Sequence, residues 1–391
     1  MSEFIPLSVP YIAANEQAYV KECLDTGWVS SAGPFVDKFE QAFAAYVGAP
    51  HAIACSSGTA ALHVSLLLAG VQPGDLVLVP TLTFIASVNA IRYCGADPFF
   101  FDCDEFYNLD PAQIAFFLRR ECEPRGANLV HRSSGKRVGA VLPVHVFGNA
   151  VNLEPILEVA EECAVPVVED AAESLGTRYL TKSGGRTGGK HTGTIGLLGA
   201  FSFNGNKIIT TGGGGMIVTN SEALAHRAKY LTTQAKDDEA RFVHNEVGYN
   251  YRLTNVQAAI GLAQLETMAR CKSRKSQILV SYQKGLAGVS GIRVAPLPDY
   301  AENNVWMPAL HVDSAAYGED REKLMERLAR ARIQTRPVWE LNHRQKPYRE
   351  CGRMDTPKAE HLHTITLNVP CSVGMTGEQQ ARVVEELRNG D

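Results

Sequence analysis

Seven short apolar segments lie between residues 50 and 220, and longer stretches with helical spacing separate several of them. Each segment is almost continuously apolar, which is typical of strands that are covered on both faces. Strands that alternate with helices in this way predict an α/β protein with a mostly parallel sheet of seven strands. The seven predicted strands are Ala52–Cys55, Leu76–Pro80, Pro98–Asp102, Ala140–Gly148, Pro166–Asp170, Ala200–Phe203 and Met216–Thr219.

The sequence changes character in its last third. From about residue 287 prolines and short strand-like segments prevail, with one amphipathic helical pattern near residues 321–331. A chain of 391 residues is long enough to form two domains. We therefore predict a large domain over residues 1–269, which includes the N-terminal segment, and a smaller C-terminal α+β domain over residues 270–391.

The composition limits the binding partners and the cellular compartment that can be expected for this protein. The formal net charge is −4, so the sequence gives no reason to expect binding to nucleic acid or to a membrane surface. Nine widely spread cysteines without C-x-x-C spacing predict reduced thiols rather than disulfides, and they predict no metal site. The start MSEFIPLSVPY lacks the pattern of a signal peptide, and no apolar stretch approaches the length of a membrane helix. We expect a soluble, cytoplasmic protein.

Polar residues follow the predicted strands at the places where the strands end. In open α/β sheets, ligands bind beyond the carboxyl ends of the strands. The residues at these ends are therefore the candidates for a binding site. They are Ser56–Thr59, Thr83 and Phe84, His145, Asp170 and Glu173, and residues 202–207.

The segment FSFNGNKIITTGGGG, Phe201–Gly215, places Lys207 between a short apolar strand and four glycines. A partly desolvated lysine amine can form a Schiff base with an aldehyde. Pyridoxal phosphate (PLP) is such an aldehyde, and its pyridine nitrogen requires a carboxylate that keeps it protonated, for which Asp170 is the candidate. Taken singly, Lys207 is more often a surface lysine beside a flexible loop, and Asp170 is often a helix cap.

Other strand-end residues match the remaining needs of PLP. A phosphate binds well to backbone N–H groups at the start of a helix, and Gly58 and Thr59 precede a helical pattern. The Ser202 hydroxyl is a further candidate for the phosphate, and Phe84 is the candidate aromatic residue for stacking on the ring. An S-G-T sequence alone is usually a turn, so the combination and order of these residues carry the prediction.

Eight segments spread over the chain can be compared with known families. They are GWVSSAGPFVDKFEQAFAAYVGA, SSGTAALHVSL, GDLVLVPTLTFIASVNAIRYCGADPFFFDCD, PVHVFG, VVEDAAESLG, FSFNGNK, TTGGGGMI and GYNYRLTNVQAAIGLAQLE. Together they resemble the DegT/DnrJ/EryC1/StrS family of sugar aminotransferases, which has the fold-type I aspartate aminotransferase architecture. The resemblance extends over nearly the whole chain.

The resemblance implies a role for each candidate. Lys207 would be the Schiff-base lysine, Asp170 the partner of the pyridine nitrogen and Phe84 the stacking ring. The phosphate would be held by Gly58, Thr59 and Ser202. Asn250, in GYNYR, would reach the phosphate of the neighbouring subunit, so the resemblance also implies a homodimer with composite active sites.

The sequence departs from the family at two positions. Glu173 stands where many members have Gln or His near the O3′ oxygen of PLP, and a glutamate there must be protonated or find a donor to avoid repelling that oxygen. Alternatively, Glu173 is a solvated helix residue. Asn206 stands in G-N-K, where many members read P-T-K, and this difference indicates a subgroup.

Four segments, SVP, ECLDTGWVSSAG, VPTLTFIASVNAIRY and FNGNKIITTGGGG, resemble the subgroup that aminates C4 of nucleotide-linked 4-keto-6-deoxy-2-acetamido sugars for bacillosamine or legionaminic acid synthesis. The resemblance implies L-glutamate as donor and UDP-linked 2-acetamido-4-keto-2,4,6-trideoxyglucose as acceptor, with a GDP- or dTDP-linked 4-keto sugar as the alternative. A related sugar dehydratase has histidine in place of the lysine, and a non-catalytic sugar sensor would be expected to lack Lys207 or Asp170. The presence of both residues favours the aminotransferase.

The substrate contacts have the weakest signal in the sequence. His145 follows a strand at the edge where the cofactor candidates meet, but a core histidine bonded to the backbone is an equal alternative. Arg336, Trp339, His343 and Tyr348, in RPVWELNHRQKPY, are candidates for the sugar-nucleotide entrance. As the alternative, Trp339 and Tyr348 simply pack the smaller domain.

Overall fold

The computed structural model of the chain describes residues 3–238 and 240–389. These residues form thirteen α-helices and fifteen strands. The helices are α1 (Glu16–Thr26), α2 (Pro34–Val47), α3 (Gly58–Leu68), α4 (Ile85–Tyr93), α5 (Pro111–Phe116), α6 (Glu154–Glu162), α7 (Glu222–Thr232), α8 (Asn255–Glu266), α9 (Met268–Gly285), α10 (Ser314–Tyr317), α11 (Arg321–Arg330), α12 (Pro357–Ile365) and α13 (Gly377–Arg388). The strands are β1 (His51–Cys55), β2 (Leu76–Pro80), β3 (Asp97–Phe101), β4 (Cys122–Arg125), β5 (Asn128–His131), β6 (Val138–Val141), β7 (Val168–Asp170), β8 (Arg178–Tyr179), β9 (Leu198–Ser202), β10 (Gly215–Thr219), β11 (Ile292–Val294), β12 (Ala301–Glu302), β13 (Ala309–Val312), β14 (Arg336–Pro337) and β15 (Thr366–Asn368).

A strand forms at each of the seven predicted positions, and these strands lie in two sheets. β1, β10, β9 and β7 form one sheet in that order, in which β10 is antiparallel to both neighbours while β7 and β9 are parallel. β3, β2 and β6 form a second sheet, which is parallel. Isolated parallel bridges, Val141–Val167 and Val144–Asp170, connect the two sheets. The fold is α/β with mixed sheets, and a single seven-stranded sheet is not confirmed.

One predicted strand, Ala140–Gly148, is shorter in the structure than in the prediction. β6 ends at Val141, and Val146–Gly148 form a short 3₁₀ turn in which Phe147 has a φ of 55°. The residues of the predicted strand are buried throughout. The apolar run therefore reports burial correctly, but it does not distinguish an extended chain from a buried turn.

The helix α3 brings a polar turn to the edge of the first sheet. Its sequence GTAALHVSLLL is apolar around most of the helix, and it packs against β9 and β10 with α4 and α7 beside it. This burial fixes the N-terminus of α3 next to the end of β9. No helix within residues 3–238 and 240–389 is long and apolar enough to cross a membrane.

The C-terminal part of the chain contains a separate antiparallel sheet, with the order β11, β13, β15, β14. The N-terminal segment lies against this part: Ile5 pairs with Ile333, and the Leu7 carbonyl accepts a hydrogen bond of 2.7 Å from Cys371 N. The predicted domain boundary between residues 269 and 270 falls just after the start of α9, and the division into two domains stays a prediction.

Candidate active site

A cavity of about 670 Å³ lies beyond the ends of β7 and β9, at the start of α3. Its charged lining residues are Asp170, Glu173, Lys207 and Arg336. Further predicted residues that line it are Gly58, Thr59, Phe84, Ser202 and Trp339. Parallel strands place their carboxyl ends at one edge of a sheet, which explains why residues distant in sequence converge here.

Asp170 ends β7 and lies at the buried side of the cavity. Its side chain accepts hydrogen bonds from the Ser87 hydroxyl at 2.6 Å and from Ala172 N at 3.0 Å. Burial raises the pKa of the Asp170 carboxyl, although the hydrogen bond from Ser87 opposes the shift. Neither donor carries a charge, so a protonated ring nitrogen is the kind of partner that would stabilise this buried carboxylate.

Lys207 follows β9 in a turn that is closed by a hydrogen bond of 3.0 Å from its backbone N–H to the Asn204 carbonyl. The side chain is 11% exposed, and Nζ lies 3.4 Å from Glu173 Oε1. Lys207 is therefore not a surface lysine beside a flexible loop. Its amine faces the cavity and has a carboxylate as a neighbour.

Glu173 is buried and has found donors on both carboxylate oxygens. Lys207 Nζ approaches Oε1, and the backbone N–H of Phe147 donates to Oε2 at 2.8 Å. Burial raises the pKa of the Glu173 carboxyl, while the charge of Lys207 and the Phe147 hydrogen bond oppose the shift. The alternative of a solvated helix residue is wrong, because burial excludes Glu173 from bulk water.

The start of α3 fits a phosphate group. The Ser57 hydroxyl caps the helix by accepting a hydrogen bond of 3.0 Å from Ala60 N, while the N–H groups of Gly58 and Thr59 have no intrahelical acceptor. A Cβ added at Gly58 would lie 2.7 Å from Ser202 Cβ, so glycine is required for the helix to approach Ser202 this closely. The free N–H groups, the helix dipole and the Ser202 hydroxyl together suit a phosphate.

Phe84 stands immediately before α4, at the mouth of the cavity. Its ring is 50% exposed and makes an edge contact with Trp339, with the ring centroids 6.1 Å apart. The ring is therefore accessible from the cavity, as a stacking role requires. The N–H groups at the start of α3, the carboxylate of Asp170 and the ring of Phe84 fit the phosphate, the ring nitrogen and the ring face of PLP.

Three of the five predicted substrate contacts are not among the described residues that line the cavity. His145 is fully buried, where Nε2 lies 2.9 Å from Glu169 Oε2 and Nδ1 accepts from Val151 N, so the alternative of a core histidine agrees with the geometry. His343 Nδ1 lies 2.7 Å from the Thr81 hydroxyl, and Tyr348 packs against Phe100 while its hydroxyl donates to Asn89. Hydrogen bonds and packing hold these three side chains among other residues of the chain, and their roles as substrate contacts stay predictions. Arg336 and Trp339 do line the cavity.

Asn250 is exposed and lies outside the cavity of its own chain. Its backbone pairs with Thr233 in an isolated bridge, which holds the GYNYR segment at the surface. An exposed position is required of a residue that reaches a neighbouring subunit, and the role in trans stays a prediction.

The sequence does not point to two residues that contact the predicted site residues. Ser87 holds Asp170 from the first turn of α4, three residues after Phe84, and this local spacing was a usable signal. Trp306 lies with its ring face 4.0 Å from Lys207 Nζ. It belongs to a loop about 100 residues further along the chain, where nothing in the local pattern distinguishes it from a core tryptophan.

Comparison with known proteins places the chain in a family. The model of the DegT/DnrJ/EryC1/StrS aminotransferase family matches residues 10–388, and the chain belongs to this family. Members of the family use PLP, and the chain is a PLP-dependent aminotransferase.

Individual relatives are similar over almost their whole lengths. The chain is 38% identical to the GDP-perosamine synthase of Caulobacter vibrioides, over 98% of this chain and 97% of that protein, and 37% identical to the GDP-perosamine synthase of Escherichia coli O157:H7, over 98% of both. Among solved structures, the aminotransferase TlmJ from Streptoalloteichus hindustanus superposes with a TM-score of 0.87 at 28% identity, over 99% of both chains.

Proposed function

We propose that the chain transfers the amino group of L-glutamate to C4 of a nucleotide-linked 4-keto-6-deoxy sugar. The observation that carries this function is the position of Lys207 Nζ in the cavity, 3.4 Å from Glu173 and on the same lining as Asp170 and the start of α3. The family and the nucleotide-sugar enzymes among its relatives support the choice of reaction.

PLP, when bound, accepts electrons into its ring and so stabilises the negative charge that develops on the carbon losing its proton. Lys207 would be the residue that holds PLP through its amine. When that amine is free, it would take the proton from the α-carbon of glutamate as general base and deliver it, as general acid, to the carbon that was the aldehyde carbon of PLP.

The other residues of the cavity hold charges in place for this proton transfer. Asp170 keeps the ring nitrogen protonated, and its bonds from Ser87 and Ala172 fix the direction of the carboxylate. The N–H groups of Gly58 and Thr59 and the Ser202 hydroxyl hold the phosphate. Glu173 faces the Lys207 amine and stabilises it whenever it carries a proton.

Two acceptors are supported by different observations. The similarity of FNGNKIITTGGGG and VPTLTFIASVNAIRY to the bacillosamine and legionaminic acid subgroup favours UDP-linked 2-acetamido-4-keto-2,4,6-trideoxyglucose. The relatives named for GDP-perosamine favour a GDP-linked sugar instead. In either case Arg336 is the cavity cation that is available to the pyrophosphate, because Lys207 is engaged with the cofactor.

A panel of substrates tests the proposal. We expect conversion of glutamate to 2-oxoglutarate with a 4-keto-6-deoxy sugar, and kcat/KM compared over UDP, GDP and dTDP, with and without the 2-acetamido group, identifies the acceptor. A site that bonds the acetamido group should reject sugars without it by orders of magnitude. Preference for UDP with the acetamido group supports the first acceptor and preference for GDP supports the second, whereas no transamination with any of these sugars would contradict the proposed function.

Arg336 offers a matched test of the nucleotide contact. Arg336→Gln should raise KM for the sugar nucleotide about tenfold or more while kcat changes less, since a charge-assisted bond to the pyrophosphate is lost. Arg330→Gln, which removes an exposed arginine of α11, is the control. Equal effects of the two substitutions on KM would contradict a contact between Arg336 and the sugar nucleotide.

The same family resemblance supports the remaining parts of the proposal. The architecture is that of fold-type I enzymes, in which the four-stranded and three-stranded sheets together form one seven-stranded sheet. This sheet belongs to a large domain over residues 1–269, and residues 270–391 form a small domain. The protein acts in the cytoplasm as a homodimer, in which Asn250 completes the phosphate site of the neighbouring subunit.

A further inference from the structure

Trp306 forms one wall of the cavity directly beside the reactive amine. The side chain is 2% exposed, and Lys207 Nζ lies over the indole face at 4.0 Å from the ring centroid. On another side of the same amine, Glu173 Oε1 lies at 3.4 Å. The amine is thus in contact with a carboxylate and with the negative face of an aromatic ring.

Hydrogen bonds at both ends of Trp306 fix the orientation of this ring. The indole N–H donates to the Asn206 carbonyl at 2.7 Å, so the ring is tied to the residue that precedes Lys207. The backbone N–H of Trp306 donates to Asn304 Oδ1 at 2.9 Å, and its carbonyl accepts from the buried Lys275 Nζ at 3.0 Å. The ring therefore has little freedom to turn away from Lys207.

The anchor Asn304 also connects Trp306 to Glu173. Its side-chain N–H groups donate to the carbonyls of Glu173 at 2.8 Å and of Leu175 at 2.9 Å, while its oxygen accepts from Trp306 N. The two groups that contact the amine are thus held by a single asparagine. Their separation is set by the fold and does not depend on Lys207.

An aromatic face discriminates between the two protonation states of an amine. It attracts an ammonium by about 0.5–2 kcal/mol, with the larger values at desolvated sites and for tryptophan, and it gives a neutral amine no comparable attraction. Glu173 acts in the same direction, as does the charge of Asp170, while Arg336, which also lines the cavity, opposes them. Glu173 and the ring of Trp306 are the groups that contact the amine directly.

We propose that Trp306 is a positioning residue whose indole face holds the unbonded Lys207 amine as an ammonium and fixes its direction in the cavity. The inference rests on the proposed function. In that function Lys207 is at some stages bonded to the cofactor and at others free to carry a proton. After Lys207 takes a proton from the α-carbon, the ring stabilises the ammonium until the proton is delivered. Without the ring, the ammonium loses this attraction and its direction in the cavity is less restricted.

The first test uses the full-length chain freed of cofactor. Acetylation of Lys207 by acetic anhydride is followed by mass spectrometry over a range of pH, and the midpoint of the profile reports the protonation of the amine independently of its accessibility. Trp306→Phe and Trp306→Leu are compared, because both lack the indole N–H and differ in whether a ring face remains. The exposed Lys182 serves as the reference amine in each protein.

We expect the midpoint to fall in the order wild type, Trp306→Phe, Trp306→Leu. At a pH below the midpoint, Lys207 in the leucine variant should react about three- to tenfold faster than in the wild type, with no change at Lys182. Coincident midpoints in the three proteins, or a higher midpoint in the leucine variant, would overturn the inference. If the leucine variant does not fold, a midpoint of Trp306→Phe below that of the wild type still supports the inference, and an unchanged one overturns it.

A second readout separates this inference from the proposed function. In the protein loaded with PLP, the absorption band of the cofactor bonded to Lys207 is titrated with pH, and the covalent bond is confirmed with borohydride. If the cofactor is bonded at Lys207 but the acetylation midpoints of the variants equal that of the wild type, the role of Trp306 is contradicted and the proposed function is not. A shifted midpoint in a protein that never bonds PLP at Lys207 supports the Trp306–Lys207 contact and contradicts the proposed function.

Discussion

Lys275 and Lys207 both lie largely out of contact with bulk solvent, and their surroundings differ. Lys275, in the middle of α9, is 2% exposed, and its three N–H groups meet the Trp306 carbonyl at 3.0 Å, the Cys371 carbonyl at 2.9 Å and Cys371 Sγ at 3.4 Å. Lys207 has one carboxylate at 3.4 Å and the face of a tryptophan ring, and the rest of its surroundings is the cavity.

The available space beside the amine distinguishes a reactive cation from a structural one. The ammonium of Lys275 is saturated by neutral acceptors that come from two distant parts of the chain, so its bonds hold those parts together. Lys207 keeps an open side from which an aldehyde carbon or a substrate proton can be reached. Burial alone therefore does not identify a reactive lysine. A cavity next to the amine does.

The largest expected effects come from removing each lysine. Lys207→Ala should lower turnover by about 10³-fold or more while leaving the melting temperature close to that of the wild type, because the covalent attachment and the proton carrier are both lost. Lys275→Met should instead destabilise the fold by about 2–5 kcal/mol, because two buried carbonyls lose their donor. Steady-state kinetics and urea unfolding of both variants check the contrast, and a Lys207→Ala enzyme with near-normal turnover would abolish it.

The second prediction compares the two carboxylates beside Lys207. Asp170→Asn should reduce kcat/KM by about 10²–10³-fold, because the charge that keeps the ring nitrogen protonated is lost from a dry site. Glu173→Gln should cost less than about tenfold, since the amide oxygen can still accept from Phe147 N. Parallel kinetics of the two variants measure the difference, and equal losses would contradict the separate roles.

How far the sequence predicts this site depends on the range of the contacts. Lys207, Asp170 and Gly58 could be predicted because each follows a strand or begins a helix, and the topology of an α/β sheet brings such ends together. Trp306 could not, because its approach to Lys207 depends on how a loop about 100 residues away packs. His145 was ambiguous for another reason: a strand-end residue can point into the cavity or behind it, and the early end of β6 at Val141 turns it towards Glu169.

His145 and Glu169 form a buried polar pair, and neither residue is among the described residues that line the cavity. Both side chains are 0% exposed. Burial opposes ionisation of Glu169, but hydrogen bonds from His145 and from the backbone N–H groups of Gly196 and Gly193 outweigh it and lower the pKa of the Glu169 carboxyl. Like Lys275, the two side chains have their hydrogen-bond partners within the protein. Glu169 is therefore a structural carboxylate, in contrast to Asp170 and Glu173, which line the cavity.

The third prediction places part of the reactive region on another subunit. Mixing Lys207→Ala with Asn250→Asp subunits should produce heterodimers with one site that carries both changes and one that carries neither. Activity should therefore return to about a quarter of the wild-type value in a statistical mixture, since half of the dimers are mixed and each has one intact site. Verified heterodimers without recovered activity would place Asn250 in its own subunit's site.

The smallest expected effect is a dependence of stability on pH in the protein without cofactor. Burial raises the pKa of the Glu173 carboxyl, so its stabilising contribution is present below the ordinary value of about 4.5 and is lost as pH rises towards the folded value. Glu173→Gln removes this loss, so the variant should gain stability relative to the wild type as pH rises above about 4.5. Urea unfolding at several pH values measures the difference, and a constant difference across this range would contradict the raised pKa.

The contrast between Lys207 and Lys275 is tested most directly by identifying the lysine to which the cofactor is bonded. The protein loaded with PLP is reduced with borohydride, digested, and mapped by mass spectrometry. The open side of Lys207 predicts that the mass of the reduced cofactor appears on the peptide that contains Lys207, at close to one per chain, and that the peptide with Lys275 is unmodified. Cofactor mass on Lys275 or another lysine, with an unmodified Lys207, would contradict the account.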